Sequence, residues 1–362
     1  RECLPSISQT SVGLLLNRER IPTKVIRSIL PKVSTAPVKI NTRLAKVNIK
    51  LEVTYEFIHK KNSTMKKIIV IGSSNMDMVV KTSHLPAPGE TILGGEFFMN
   101  QGGKGANQTV AVERLGGNLI FMAKLGNDIL GQQSIEYFKK EGIDTRYIAL
   151  DENSASGVAL ISVDDHAENS IVVASGANML LDEQDVDKVV EEMCEGDILL
   201  MQLEIPLQTV EYAARKAFEK GVKVVLNPAP ARNLPKALLR YLYMITPNRI
   251  EAEMLTGIKI TNDVDAEDVA KEINAMGVQN VIVTLGSKGC LIRENGASYR
   301  VDAFKVEPVD TTAAGDIFNG ALCVALAEGM ELKQAAVMAS KASSIAVTRM
   351  GAQSSIPRRE EL

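Results

Sequence analysis

From position 65 onward the apolar residues follow two periods. Short runs at 67–71, 119–124, 197–203, 223–227, 242–245 and 281–285 are rich in β-branched residues and stop at glycine or polar turns, as buried strands do. Between them, apolar residues spaced three and four apart predict helices over about 104–115, 128–141, 207–220, 248–256, 265–276, 313–328 and 331–348, the last two rich in alanine. Strand then helix, repeated, implies an α/β fold with a mostly parallel central sheet and helices on both faces, because parallel neighbours need crossover connections. Four short β-rich segments, 78–81, 91–98, 156–163 and 169–174, break the alternation. The last two flank the polar run Asp164-Asp165-His166-Ala167-Glu168, a hairpin signal. These segments predict a small antiparallel β sheet beside the main body, placed as a lid would be.

Composition sets the outer bounds. With 362 residues, 45% apolar and 23% charged, the chain can bury a substantial core. A net charge of −3 and 4% aromatics without Trp give no general attraction to nucleic acid or membrane and no base-stacking surface. The average conceals an asymmetry. Residues 1–64 hold 12 Lys or Arg against 4 Glu, a net of +8, and none of the 14 methionines; the remaining 29 basic and 40 acidic residues give −11. The fold is therefore expected to occupy 65–362, starting at Met65, with 1–64 a basic prefix without a fold of its own. Organelle targeting and a nucleic-acid-binding arm are the competing readings of that prefix. Cys3, Cys194, Cys290 and Cys323 form no C-x-x-C pair, which suits a reducing, cytoplasmic setting. His59, His84 and His166 form no zinc or triad pattern. No apolar run is long enough for a transmembrane helix.

Chemistry gathers in four segments. Gln101-Gly102-Gly103-Lys104-Gly105-Ala106-Asn107-Gln108 opens a helix: glycines allow close backbone approach, Lys104 is a cation, and free N–H groups face a polar or anionic ligand. A Gly-rich turn that merely caps the helix is the alternative. Asp310-Thr311-Thr312-Ala313-Ala314-Gly315-Asp316 also enters a helix, where successive small residues expose N–H groups as an anion hole and Asp316 sits in the first turn. That pairing suits phosphoryl transfer, with the carboxylate taking the proton of an attacking hydroxyl. Asn248-Arg249-Ile250-Glu251 places Asn and Glu on one helical face, either toward a crevice, with Glu251 acting on Mg²⁺ through water, or as a helix cap. Thr284-Leu285-Gly286-Ser287-Lys288-Gly289 is a polar turn, either for nucleotide phosphates or for a hairpin.

Together these segments resemble the ribokinase/PfkB-type carbohydrate kinase family along essentially all of Met65 to Leu362. The Gly-Gly-Lys-Gly-Ala-Asn-Gln and Asp310–Gly320 segments are similar to its two signatures. Gly72-Ser73-Ser74-Asn75-Met76-Asp77, Met201-Gln202-Leu203-Glu204 and Asn227-Pro228-Ala229-Pro230-Ala231-Arg232 are similar to further family segments. The resemblance implies transfer of the ATP γ-phosphoryl to the 5-hydroxyl of D-ribose, with Asp316 as base and the N–H groups of Ala313, Ala314, Gly315 and Asp316 as anion hole. It implies sugar contacts from Asn75, Asp77, Gly103, Lys104, Asn107 and Glu204. It places Asn248, Thr284, Gly286, Ser287 and Gly289 along the nucleotide, Glu251 in the Mg²⁺ and phosphate region, and a K⁺ site on Asp310, Thr312, Ala346, Arg349, Gly351 and Ser355. Ser340 stands near the adenine end, where the family often carries His or Asn, and its shorter side chain reaches less far toward the base. A homodimer through the lid is also implied. Rival functions are a same-fold kinase for 2-deoxyribose, fructose or a nucleoside, and a non-catalytic sugar-binding module.

Overall fold

The computed structural model describes residues 65–166 and 168–362; the expectations for the prefix lie outside the described residues. The chain opens with β1 (Lys67–Ile71), β2 (Asn75–Lys81), β3 (Phe97–Gly102), α1 (Lys104–Arg114), β4 (Asn118–Gly126) and α2 (Ile129–Glu141). It continues through β5 (Ile148–Asp151), β6 (Gly157–Val163), β7 (Asn169–Ala174), α3 (Glu183–Val190), β8 (Ile198–Met201), α4 (Leu207–Glu219) and β9 (Lys223–Leu226). Next come α5 (Lys236–Leu239), β10 (Met244–Ile245), α6 (Arg249–Thr256), α7 (Asp263–Ala275) and β11 (Asn280–Thr284). The described chain closes with β12 (Cys290–Glu294), β13 (Ala297–Val301), α8 (Ala314–Ala327) and α9 (Leu332–Ala346).

The larger sheet runs β13-β12-β11-β10-β9-β8-β1-β4-β5. Every pairing from β11 to β5 is parallel, and β12 and β13 add an antiparallel edge. Both faces are covered, which is why β1 reads as a continuous apolar run. Ile68 and Val70 enter one core with α1, α8 and α9, while Ile69 and Ile71 enter the other with α3, α4 and α7. Each of these four side chains is 0% exposed, and each contributes roughly 1.5–3 kcal/mol of burial.

The smaller sheet runs β3-β2-β6-β7, with antiparallel hairpins at both sides and a parallel pairing of β2 with β6 between them. Its bounds differ from the sequence expectation in two places. β2 begins at Asn75, so the turn after β1 leads directly into this sheet. Residues 91–96 are irregular and the strand is Phe97–Gly102, because Gly94-Gly95 supplies no side chains to a ladder while the following residues pair with β2. Strand alternation sends Asp77, Asn100 and Ala159 to one face and the row Met99, Met78, Leu160 and Val172 to the other. Among the described residues, no helix is long and apolar enough to cross a membrane.

Two contacts lock α1 in place. Arg114 at its end grips Glu141 through Nε (2.9 Å) and Nη2 (2.8 Å), and its Nη1 donates to the carbonyls of Gln353 (2.6 Å) and Ile356 (3.1 Å). Gly320 on α8 lies so close to α1 that a Cβ there would stand 2.6 Å from Ala111 Cβ and 2.9 Å from Gln108 O. Gly320→Val must therefore push the helices apart, and a loss of about 1–3 kcal/mol is expected in denaturant unfolding. Wild-type stability in that variant would contradict the close packing.

Candidate active site

β1 has β4 on one side and β8 on the other, so the order of the larger sheet reverses there and opens a crevice at the carboxyl ends of β1 and β8. The turn Gly72–Ser74 leaves β1 at this point, and Gln202–Glu204 leaves β8 beside it. The start of α1 is laid against that turn. Gly103 has φ 87°, and a Cβ on it would meet Asn75 N at 2.7 Å; a Cβ on Gly105 would meet Ser73 N at 2.5 Å. Only glycine permits this approach. Gly103 caps nothing with a side chain; instead Glu204 Oε2 accepts from the Lys104 N–H (3.0 Å) and from Ser73 Oγ (2.5 Å). A carboxylate at a helix N-terminus is stabilised by the helix dipole.

The start of α8 faces the start of α1. Ala313 adopts the left-handed conformation (φ 59°), a strained choice for a residue with a Cβ, and its carbonyl already accepts from Ile317. The Ala314 N–H closes a turn onto Thr311 O at 3.2 Å. That leaves the N–H groups of Gly315 and Asp316, in the first helical turn, as the donors for an anion. In front of Gly315 the space is open: a Cβ would find nothing within 4 Å.

Asp316 is 5% exposed, and both oxygens accept from α1: Asn107 Nδ2 to Oδ2 and Gln108 Nε2 to Oδ1, each at 3.0 Å. Burial pushes its carboxyl above the usual range, while the Lys104 ammonium and the two amides pull it back. Lys104 is held charged chiefly by Asp316, with Glu204, Glu251 and Asp77 adding to the effect. One cation thus serves four carboxylates. Asp77 sits where a Cβ on Gly102 would touch it, and burial, then Glu204 and Asp316, push its carboxyl up to about 7.

Asn75 Oδ1 accepts from Asn178 Nδ2 at 2.8 Å, and Asn178 also bonds both backbone groups of Ser74. Asn178, in the short turn Gly176–Leu180, positions this edge of the site; no pattern in the sequence marks it. Gln353, whose Nε2 donates to Asn107 Oδ1 at 3.0 Å, is likewise unmarked.

Two adjoining cavities continue from Gly315. One, of about 450 Å³, is lined by Thr284, Gly286, Ser287, Gly289, Ala314, Gly315 and Ser340. Phe304, Val306, Phe318 and Val347 also line it, and these apolar residues escaped the sequence reading because they lie on an irregular loop and on helices that read as core. The other cavity, of about 580 Å³, shares Thr284, Gly286, Ser287 and Gly315 and adds Asn248. The polar turn 286–288 is thus a hairpin loop and a cavity wall at once. Asn248 and Glu251 form a complete capping box on α6, with Glu251 N–H donating to Asn248 Oδ1 and both Glu251 oxygens accepting from Asn248 at 2.8 Å. Asp310 accepts from Thr312 N–H (2.9 Å), Thr312 Oγ1 (2.6 Å) and Gly351 N–H (2.8 Å). Burial raises the Asp310 carboxyl, but these donors hold it below its ordinary value. Ala346 O accepts from Arg349 N–H close by, whereas buried Ser355 bonds to Ala352.

The profile of the pfkB family carbohydrate kinases matches residues 65–359. The chain is 44% identical over 296 residues to ribokinase from Haemophilus influenzae, covering 82% of this chain and 97% of that protein. It is 35% identical over 295 residues to a deoxyribokinase from Salmonella typhi, covering 81% and 96%. A solved structure of Arabidopsis thaliana ribokinase complexed with ribose and ATP superposes with a TM-score of 0.76 at 30% identity, covering 82% of this chain and 97% of that one.

The raised carboxyl of Asp77 has a consequence for stability. The folded chain keeps this proton up to about pH 7, whereas the unfolded chain releases it near 3.8, so stability falls as pH rises across that window. Asp77→Asn is expected to melt higher than the wild type at pH 8, with the gap narrowing as the pH is lowered toward 4. A gap independent of pH would contradict the half-buried, crowded carboxyl.

Proposed function

The chain belongs to the pfkB family of carbohydrate kinases and is a phosphotransferase acting on a sugar hydroxyl, and from that premise we propose that it transfers the ATP γ-phosphoryl to the 5-hydroxyl of D-ribose. The products are D-ribose 5-phosphate and ADP. The observation that carries the reading is a buried carboxylate, Asp316, placed in the same helical turn as the free N–H of Gly315, with open space before it and Lys104 beside it. Complexes of ribose and ATP with an Arabidopsis relative of the same fold support the choice of substrates.

Ribose lies among Asn75, Asp77, Gly103, Lys104, Asn107 and Glu204. Asp77 and Glu204 each present acceptor oxygens for hydroxyls, and a sugar lacking one of those hydroxyls leaves a buried acceptor unpaired. The nucleotide runs along Asn248, Thr284, Gly286, Ser287 and Gly289, with its base against Phe304, Val306 and Ser340. In the reaction Asp316 accepts the proton of the 5-hydroxyl, the sugar oxygen bonds to the γ-phosphorus, and the bond from that phosphorus to the ADP oxygen breaks. The N–H groups of Gly315 and Asp316, with Ala313 and Ala314 shaping the turn, take up charge on the transferred group.

Cations fit this scheme through oxygen. Among the described residues no cluster of three or more His, Cys, Asp or Glu side chains could hold a metal ion, so ligands must include backbone carbonyls or the nucleotide itself. Glu251, with both oxygens engaged by Asn248, would serve Mg²⁺ on the phosphates only through water. K⁺ would be held by the Asp310 carboxylate with oxygens of Thr312, Ala346, Arg349, Gly351 and Ser355, an all-oxygen donor set. When bound, the two cations supply positive charge beside the phosphates and the anion hole. The small sheet closes over the sugar with its Asp77 face. Its opposite face exposes Met99 (44%), Leu160 (52%) and Val172 (62%), and a second copy of the chain covers that row in a homodimer. Dependence on ATP fits the cytoplasm as the working compartment.

The same machinery serves 2-deoxyribose in a second reading favoured by the deoxyribokinase relative. Both readings need the base. Asp316→Asn is expected to leave ribose and ATP binding measurable by calorimetry while kcat falls by about 10²–10⁴-fold; unchanged turnover would remove Asp316 from that role. Gly315→Ala fills the open space before the anion hole and is expected to keep the melting temperature within a few degrees while turnover drops at least about tenfold. Full activity in that variant would place the phosphoryl group elsewhere.

A further inference from the structure

Two chains of amides lead to Asp316, and the scheme above gives their outer members no task. On one side Gln353 Nε2 donates to Asn107 Oδ1 at 3.0 Å, and Asn107 Nδ2 donates to Asp316 Oδ2 at 3.0 Å. On the other, Gln202 Nε2 donates to Gln108 Oε1 at 2.5 Å, and Gln108 Nε2 donates to Asp316 Oδ1 at 3.0 Å and to Asn227 Oδ1 at 3.1 Å. Asn107, Gln108, Gln202 and Gln353 are all buried, none more than 6% exposed.

The direction of each amide follows from the charge at the centre. An ionised carboxylate only accepts, so Asn107 and Gln108 must present nitrogen to Asp316. Their oxygens then face outward and need donors, which Gln353 and Gln202 supply. What is left over is revealing: Gln353 Oε1 and Gln202 Oε1 are buried with no donor. Such an oxygen carries a desolvation penalty in a closed interior. Both outer amides bear it in order to aim nitrogen inward.

Each outer glutamine is anchored, Gln353 through its backbone carbonyl and Gln202 through packing. Arg114 Nη1 donates to the carbonyls of Gln353 and Ile356, and the guanidinium is fixed by its paired bonds to Glu141. Gln202 follows β8, and its Oε1 occupies the space that a Cβ on Gly72 would take. Neither glutamine lines the cavities assigned to the nucleotide.

We propose that Gln353 and Gln202 are positioning residues for phosphoryl transfer, which hold Asn107 and Gln108 in the one orientation that fixes both oxygens of Asp316. Turning the Asn107 amide over would set its oxygen against the carboxylate, and the Gln353 donor disfavours that turn. The inference rests on Asp316 as the proposed base.

The test places Gln353→Leu and Gln202→Leu in the wild type and in Asp316→Asn. In the wild type each is expected to lower kcat about tenfold with KM for ATP changed less than about twofold. In Asp316→Asn neither should lower the residual rate further, because the glutamines act through Asp316. An equal loss in both backgrounds, a loss confined to KM, or an unchanged kcat would overturn the proposal. Gln353→Met and Gln202→Met, closer in shape, replace the leucine variants if those fail to fold.

A readout apart from turnover is the ¹³C titration of the Asp316 carboxyl. It is expected to move upward in the variants as the amide donors loosen, while Lys104 on α1, Glu204 after β8, Asp77 on β2 and Glu251 on α6, the charged groups around it, stay in place. An unmoved titration overturns the positioning role. A moved titration in a chain that releases no ADP with any sugar would keep the positioning role and sink the kinase reading instead.

Discussion

The structure turns on one buried charge. Asp316 is nearly sealed from solvent at the start of α8, where a lone carboxylate would neutralise itself rather than stay ionised. It is kept functional by the Lys104 ammonium and by amide donors on a second helix, α1. Those partners work only if the first turns of the two helices lie side by side above the reversal point of the sheet. Most other features of the site can be traced to that requirement.

The glycines are the first consequence. Gly103 and Gly105 let α1 rest on the turn after β1, and Gly320 lets α8 run close to α1. Replacing the missing side chains would separate Lys104 and Asn107 from Asp316. The acidic ring is the second consequence. Lys104 is shared by Asp316, Glu204, Glu251 and Asp77, and Asp77, pushed up by burial first and by Glu204 and Asp316 after it, holds its proton to about pH 7. Sugar hydroxyls, donors and acceptors at once, match a ring of carboxyl groups of which one keeps its proton better than an anion would.

The order of strands and helices in the main body was legible because burial on both faces of a parallel sheet writes itself as continuous apolar runs, as in Ile68 to Ile71. Glycine-rich helix starts were legible for a related reason: close backbone approach demands a residue type that few other contexts require. The β12–β13 hairpin is also written in the chain, in Asn295-Gly296 with both residues at positive φ, although strand–helix alternation alone does not predict it. Two things were not legible. The strand Phe97–Gly102 was displaced because Gly94-Gly95 sits inside an otherwise β-rich run. Asn178 and Gln353 lie far along the chain from the groups they orient, and a single amide in a short turn has no periodicity to betray it. Of the two readings of Asn248 and Glu251, the cap is what the structure displays, and Asn248 lines a cavity as well whereas Glu251 lines neither.

The most direct measurement is sugar-dependent ADP formation by the full chain with ATP, Mg²⁺ and K⁺, comparing ribose, 2-deoxyribose, fructose and adenosine. The account predicts the highest kcat/KM for ribose, with 2-deoxyribose behind it for want of a hydroxyl to pair with the buried acceptors. ADP formation with none of them, or with adenosine foremost, would contradict it.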